Sequence, residues 1–92
     1  MNLLFFHTKT CKQCRRQEEE FENNPPSLPM RKIDVFSEVG PSMMRKYHVH
    51  DVPTTLLVDE CGRAIHVFFD FHSTLDMESW MTLHGMSRKN QS

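Results

Sequence analysis

Two cysteines stand at the junction between a short apolar segment and a long charged one, and this junction constrains the fold most. Residues 2–6 are mostly apolar and too few for a helix, which favours a buried strand. From Cys11 to Glu22 there is neither proline nor glycine, and Lys, Arg, Gln and Glu dominate, which predicts a helix. The junction therefore predicts a strand followed by a helix whose first turn carries Cys11 and Cys14.

The remaining elements follow from turn and capping residues. Asn-Asn-Pro-Pro at 23–26 ends the first helix, Pro41 suits the first turn of a second, and Ser73 with Asp76 resembles a capping box for a third. A tight turn at 59–62 joins two segments of β-forming residues into a hairpin. The predicted order is β-α-β-α-β-β-α, with strands at 2–6, 30–36, 54–58 and 64–69 and helices at 11–22, 41–47 and 74–83.

This order predicts an α/β fold, a four-stranded mixed sheet flanked by three helices. The first two strands are joined through a helix, so we expect them to be parallel with a right-handed crossover. The last two form a hairpin and are antiparallel. A chain of 92 residues accommodates one domain, which we place at 1–84, and the polar residues 85–92 form a predicted flexible tail.

Charge and hydropathy disfavour two classes of partner. The net charge is −1, from 11 basic and 12 acidic residues, which is not the charge of a nucleic-acid binder. The apolar run at 3–6 is too short for a secretory signal or a membrane span. We therefore expect a cytoplasmic, monomeric protein that binds neither nucleic acid nor membrane. In that compartment disulfides are usually transient or catalytic.

The cysteine pair carries the chemistry. The backbone N–H groups and the positive end of the dipole at a helix N-terminus favour a thiolate at Cys11, and the thiolate is the attacking species. Lys12, Arg15 and Arg16 add positive charge nearby. Cys11 would attack a substrate disulfide, and Cys14 would then attack Cys11 and release the reduced substrate.

Two other interpretations of these residues stay open. The basic residues could be ordinary helix surface pairs, Arg15 with Glu19 and Arg16 with Glu20. The two cysteines could be half of a zinc site, which needs two more ligands. Cys61 and six histidines are available, but no second C-x-x-C or H-x₃₋₅-H pair follows. We therefore predict no metal.

At this point the sequence resembles the thioredoxin family over roughly residues 2–83. The resemblance is carried by the cysteine motif after a strand and by a Val-Pro-Thr-Thr segment about 40 residues later, before a hairpin. The matching segments are Leu3 to His7 with Cys11 to Cys14, Ile33-Asp34-Val35, Pro41 with Tyr47-His48-Val49, and residues 51–59. Because the chain starts at the strand before the cysteines, it resembles a minimal, glutaredoxin-sized version of the fold.

The resemblance implies a thiol–disulfide oxidoreductase that reduces protein disulfides, with Cys11 as nucleophile and Cys14 as resolving thiol. Pro53 would be cis and face the cysteines, and the Val52 backbone would pair with an extended substrate strand. No cofactor beyond the dithiol is implied. The oxidised protein would need an upstream thiol reductant, either a thioredoxin-reductase-like enzyme or glutathione.

Several positions depart from the family pattern. Thr10 replaces the tryptophan before the first cysteine, and Phe5 occupies the position of the buried carboxylate. Without that acid, Cys14 should be harder to deprotonate. His7 could substitute for it, or could simply face solvent at the end of its strand.

Two further departures concern the substrate. Asp70 aligns with the glycine beside the substrate groove, where it could oppose a thiolate and favour basic substrates, or point outward. Gln13 stands where glutaredoxins have a tyrosine, and their Gly-Gly motif is absent, so glutathione binding is disfavoured.

The other conspicuous residues have structural interpretations. Cys61 falls in the hairpin turn and should be an exposed thiol that takes no part in the reaction. Trp80 should face the core together with Leu75 or Met77 and with Leu83, and Phe71 could contact a substrate if it is exposed beside the cysteines. A second hypothesis for the whole chain is a binding or adaptor module of the same fold with non-essential cysteines.

Overall fold

Seven elements follow one another in residues 1–85, the part of the chain that the computed structural model describes. No helix within these residues is long and apolar enough to cross a membrane. The predicted tail lies outside the described residues, apart from Gly85. The strands are β1 (Asn2–His7), β2 (Met30–Asp34), β3 (Thr54–Val58) and β4 (Ala64–Phe69), and the helices are α1 (Lys12–Asn23), α2 (Gly40–Tyr47) and α3 (Thr74–Leu83).

The four strands form one mixed sheet in the order β2-β1-β3-β4, which confirms the predicted α/β architecture. β1 is parallel to β2 and antiparallel to β3, and β3 and β4 form the predicted antiparallel hairpin. The two central strands, β1 and β3, are buried on both faces. Side chains of a strand alternate between the two faces, so two separate cores form.

One core lies between the sheet and the α1 and α3 helices, and the other lies beneath α2. Buried members of the first are Leu3, Phe5, Phe21, Leu28, Leu57, Phe68, Met77 and Met81. Buried members of the second are Leu4, Phe6, Ile33, Val35, Val49, Leu56 and Val58, with Met43, Met44 and Tyr47 packed against them. The methionines of α2 and α3 therefore lie in or against these cores.

The end of β2 differs from the prediction, which extended the strand to residue 36. β2 stops at Asp34 because the carboxylate of that residue accepts the backbone N–H of Phe36, and its carbonyl accepts that of Ser37. The resulting turn leaves Phe36 81% exposed. The chain then enters α2 at Gly40, where an added Cβ would stand 2.4 Å from the carbonyl oxygen of Val35.

The environment of Trp80 also differs in part from the prediction. The buried positions of α3 are Thr74, Met77 and Met81, one face at helical spacing. Of the alternatives Leu75 and Met77, the buried one is Met77, whereas Leu83 is exposed and its predicted core role is wrong. Trp80 is partly buried against the first core, with its indole stacked between two imidazoles, His66 at 3.9 Å and His84 at 4.0 Å between ring centroids.

A fully buried glutamine joins α1 to the segment that leads into α3. The side-chain amide of Gln17 donates to the carbonyl of His72, and its oxygen accepts the backbone N–H of the same residue, both at 2.9 Å. One turn further along, the carboxylate of Glu20 accepts the N–H of Thr74. These bonds fix the segment that follows β4 against α1.

We expect Gln17→Ala to lower the free energy of unfolding by about 2–4 kcal/mol, because two backbone groups of His72 would lose their partner inside the protein. The matched control is Gln13→Ala, which removes an exposed glutamine from the same helix. Urea denaturation of both variants measures the difference. Equal midpoints for the two would contradict the role assigned to Gln17.

Candidate active site

Cys11 caps the N-terminus of α1 with its own side chain. β1 ends at His7, and after a short turn Cys11 takes an extended backbone conformation while α1 begins at the next residue. The N–H of Cys14 donates to the Sγ of Cys11 at 3.0 Å, so the sulfur occupies the place usually taken by a serine or aspartate oxygen. This contact and the helix dipole both stabilise negative charge on the Cys11 sulfur.

The loop before β3 faces the first cysteine. The Sγ of Cys11 lies 3.9 Å from the carbonyl oxygen of Val52, and the Val52–Pro53 peptide bond is cis. The carbonyl of Pro53 accepts the backbone N–H of Asp70 at 3.0 Å. Residues far apart in the chain therefore meet at one edge of the sheet, and they include the predicted site residues Cys11, Val52, Pro53 and Asp70.

The two thiols of the motif have different environments. Cys11 is partly exposed, whereas Cys14 is only 2% exposed, and both are free thiols. Burial raises the pKa of Cys14 to about 12, with smaller contributions in the same direction from the hydrogen bond with Cys11 and from the negative charges of Cys11 and Glu18. Only the backbone of Thr8 acts in the opposite direction. This direction agrees with the expectation that Cys14 is hard to deprotonate.

A cavity of about 260 Å³ lies beside Cys14. Its walls are formed by the end of β1, the following turn and the first turns of α1, and it is lined by His7, Thr8, Lys9, Cys14, Arg15 and Glu18. His7 is therefore half-buried next to the second cysteine instead of simply facing solvent, and its ring stacks on Phe5 at 5.1 Å between centroids. Glu18 pairs with Lys32 of β2, and this hydrogen bond holds the pKa of its carboxyl below the usual range.

Glu18 is a feature of the site that the sequence analysis missed. The signal was present, since Glu18 stands four residues after Cys14 and so faces the same side of α1. Its partner Lys32 was not predictable from spacing, because it comes from a different element.

The basic residues at the start of α1 do not form the surface pairs that remained as an alternative. Among residues 1–85, no carboxylate lies within ion-pair distance of Arg15 or Arg16. The guanidinium of Arg16 instead lies over the ring of Phe71, 4.0 Å from its centroid. Glu20, the predicted partner of Arg16, accepts the Thr74 N–H. The interpretation as i,i+4 pairs is wrong.

The remaining site positions lie on the surface around the cysteines. Thr10 is exposed in the turn just before Cys11. Asp70 is exposed and adopts a left-handed conformation with φ of 61°, a region that glycine enters freely and aspartate tolerates better than most residues.

Cys61 is exposed in the hairpin turn, as expected. Within the described part of the chain, no group of three or more His, Cys, Asp or Glu residues is arranged to hold a metal ion.

Comparison with known proteins identifies the fold. No protein-family model matches the sequence, and no curated protein is significantly similar to it. Among solved structures, thioredoxin 1 from Thermosipho africanus is 21% identical with a TM-score of 0.65, covering 91% of this chain and 98% of that one. Reduced desulfothioredoxin from Desulfovibrio vulgaris is 22% identical with a TM-score of 0.69, covering 89% and 79%.

A third similar structure is an uncharacterised thioredoxin-like protein from Clostridium perfringens. It is 19% identical with a TM-score of 0.74, and the match covers 99% of this chain and 75% of that one. Similarity at these levels of identity establishes the fold. The chain therefore has the thioredoxin fold, with Cys11 and Cys14 in C-x-x-C spacing.

We expect brief alkylation of the reduced protein with iodoacetamide at pH 8 to modify Cys11 and Cys61 and to leave Cys14 unmodified. The thiolate is the species that reacts, and the buried Cys14 with its raised pKa remains a thiol at this pH. Peptide mass spectrometry locates the modified residues, and protein unfolded in urea is the control in which all three react. Alkylation of Cys14 as fast as Cys61 would disprove this assignment.

We also expect Lys12→Glu to stabilise the protein at low salt. The first turn of α1 has no acidic residue, and replacing a cation by a carboxylate beside the positive end of the helix dipole contributes about 0.3–1 kcal/mol. Lys46→Glu is the matched control of opposite sign, because Lys46 stands in the last turn of α2, where a cation is favourable. Thermal unfolding distinguishes the two, and destabilisation by both substitutions would refute the argument.

Proposed function

We propose that this protein is a thiol–disulfide oxidoreductase that reduces protein disulfides through Cys11 and Cys14. The observation that carries the proposal is the position of the Cys11 sulfur. It accepts the N–H of Cys14 at the N-terminus of α1 and lies 3.9 Å from the Val52 carbonyl, at the partly exposed edge of the sheet. A sulfur there accepts an N–H at a helix N-terminus and is open to a substrate, which suits it as the nucleophile of a thiol–disulfide exchange.

The reaction consists of two thiol–disulfide exchanges. The Cys11 thiolate attacks one sulfur of the substrate disulfide, breaks the S–S bond and releases the other sulfur as a thiolate, which takes up a proton. The product is a mixed disulfide between Cys11 and the substrate. Cys14 then loses its proton and attacks the Cys11 sulfur, which releases the second substrate thiol. Two electrons pass to the substrate, and the protein is left with a Cys11–Cys14 disulfide.

The surroundings of Cys11 suit an extended substrate. Val52 would offer its backbone to the substrate chain, and Pro53 would shape the groove beside the attacking sulfur. Thr10 and Asp70 would border the groove on its two sides. Regeneration needs two electrons from an upstream thiol reductant, which we propose is a thioredoxin-reductase-like enzyme or glutathione, and the reducing direction suits a monomer acting in the cytoplasm.

One observation favours a second function, a binding or adaptor module that uses the same groove without redox turnover. Cys14 has a pKa raised to about 12 by burial, and the fully buried Phe5 supplies no carboxylate near it. A thiol of that kind resolves a mixed disulfide slowly at neutral pH. In an adaptor, replacing both cysteines would leave partner binding intact.

We expect the protein to accelerate reduction of insulin disulfides by dithiothreitol, and Cys11→Ser to abolish the acceleration, because the attacking sulfur is lost. Cys14→Ser should instead accumulate a mixed disulfide that mass spectrometry detects, since the resolving thiol is missing. Turbidity of the precipitating insulin chains measures the rate.

The matched control is Cys61→Ser, which removes an exposed cysteine from the hairpin turn and should leave the rate unchanged. Full activity in Cys11→Ser would exclude the proposed mechanism. If the intact protein has no activity, capture of a partner by the Cys11→Ser/Cys14→Ser double variant would support the adaptor function.

A further inference from the structure

Four cations stand within five residues of Cys11 in the chain, and we call them the cationic rim: Lys9, Lys12, Arg15 and Arg16. All four are exposed. Within the described ranges of the chain, none of them has a carboxylate within ion-pair distance, although the protein as a whole carries a charge of −1. The rim is therefore a local concentration of positive charge on a nearly neutral molecule.

Two acidic residues of α1 near the rim are held elsewhere, whereas Glu19 is exposed. Glu18 is paired with Lys32 of β2, and Glu20 accepts the N–H of Thr74 at the start of α3. Lys12, Arg15 and Arg16 also stand in the first turns of the helix, where the dipole disfavours positive charge. Their position is thus unfavourable to the helix, and no ion pair within residues 1–85 compensates for it.

The rim includes residues on both sides of Cys11 in the chain. Lys9 and Arg15 border the cavity beside Cys14, and Lys12 directly follows the attacking cysteine. Arg16 lies over Phe71, which follows Asp70, so one end of the rim reaches the segment that carries the groove's own carboxylate. The nearby acidic residues are Asp70 and Asp51, both exposed on the β3–β4 side of the cysteines.

We propose that the cationic rim selects protein disulfides whose cysteines are flanked by aspartate or glutamate. This inference rests on the proposed function and names its substrate class. The four cations outnumber the exposed carboxylates near them, those of Glu19, Asp51 and Asp70, so acidic substrates are favoured over the basic ones that Asp70 alone would attract. Steering of this kind raises the rate of encounter and weakens with salt.

Synthetic disulfide peptides of one scaffold test the proposal, with the two residues on each side of the cysteine being Glu, Gln or Lys. Reduced Cys61→Ser protein is mixed with each peptide, single turnovers are quenched with acid, and the released thiol is quantified by chromatography. We expect the Glu peptide to react about tenfold faster than the Lys peptide at low ionic strength, with the ratio falling toward one in high salt.

The test variant is Lys12→Glu/Arg15→Glu, for which we expect the ratio of the Glu-peptide rate to the Lys-peptide rate to fall below one. The ratio is informative because the same sulfur attacks both peptides, so any change in its reactivity cancels. The matched control is Arg63→Glu, an exposed reversal in the hairpin turn, at the opposite end of β3 from Pro53, which should preserve the ratio.

The outcomes separate the two proposals. Equal rates for the Glu and Lys peptides would overturn the role of the rim while leaving the oxidoreductase function intact. Absence of reaction with all three peptides would overturn the proposed function itself. A preference for glutathione disulfide without discrimination among the peptides would also overturn selection of acidic protein substrates.

Discussion

Burial of β1 and β3 on both faces is the constraint on which the rest of this structure depends. Their side chains supply both cores, so helices must cover the sheet on each side. The antiparallel register sets Phe6 opposite Thr54, which brings the end of β1 and the start of β3 to the same edge. The cysteine motif follows one strand and the cis-proline loop precedes the other, so their meeting is a consequence of how the core is built.

The candidate site combines groups that stabilise the fold with groups that oppose it. Gln17 supplies hydrogen bonds that hold the segment after Asp70 against α1. The basic residues at the start of the same helix act in the other direction, since they stand at the positive end of its dipole. A loss of local stability is expected near a reactive centre when function, more than folding, determines which residue type occupies a position.

Much of the fold was predictable because sharp local signals mark the elements. Thr54 after a proline, the turn at Gly62 and the capping residue Ser73 place β3, β4 and α3 at their observed bounds. The end of β2 was missed because the Asp34 side chain competes with strand pairing for the backbone N–H of Phe36, two residues further on. Such a side-chain hydrogen bond does not alter the hydrophobic periodicity from which the ends of a strand are predicted.

The site was only partly predictable for the same reason. Spacing identifies Cys11 and Cys14 and places them on a helix turn, but it cannot reveal that Arg16 leaves its expected helical partner for Phe71. Nor can it show that Glu18 reaches across to β2. Contacts between side chains of distant elements form only in the packed structure. The i,i+4 rule predicts side-chain pairs on an isolated helix, and it is less reliable for a helix that packs against a sheet.

The stacking of Trp80 between two histidines has a spectroscopic consequence. Trp80 is the only tryptophan in the chain, so the intrinsic indole emission of the protein comes from this one stack. Burial, reinforced by the charges of His84 and His72, lowers the pKa of His66, which keeps one of the two neighbouring rings neutral over a wider pH range. The emission therefore monitors how α3 packs on β4.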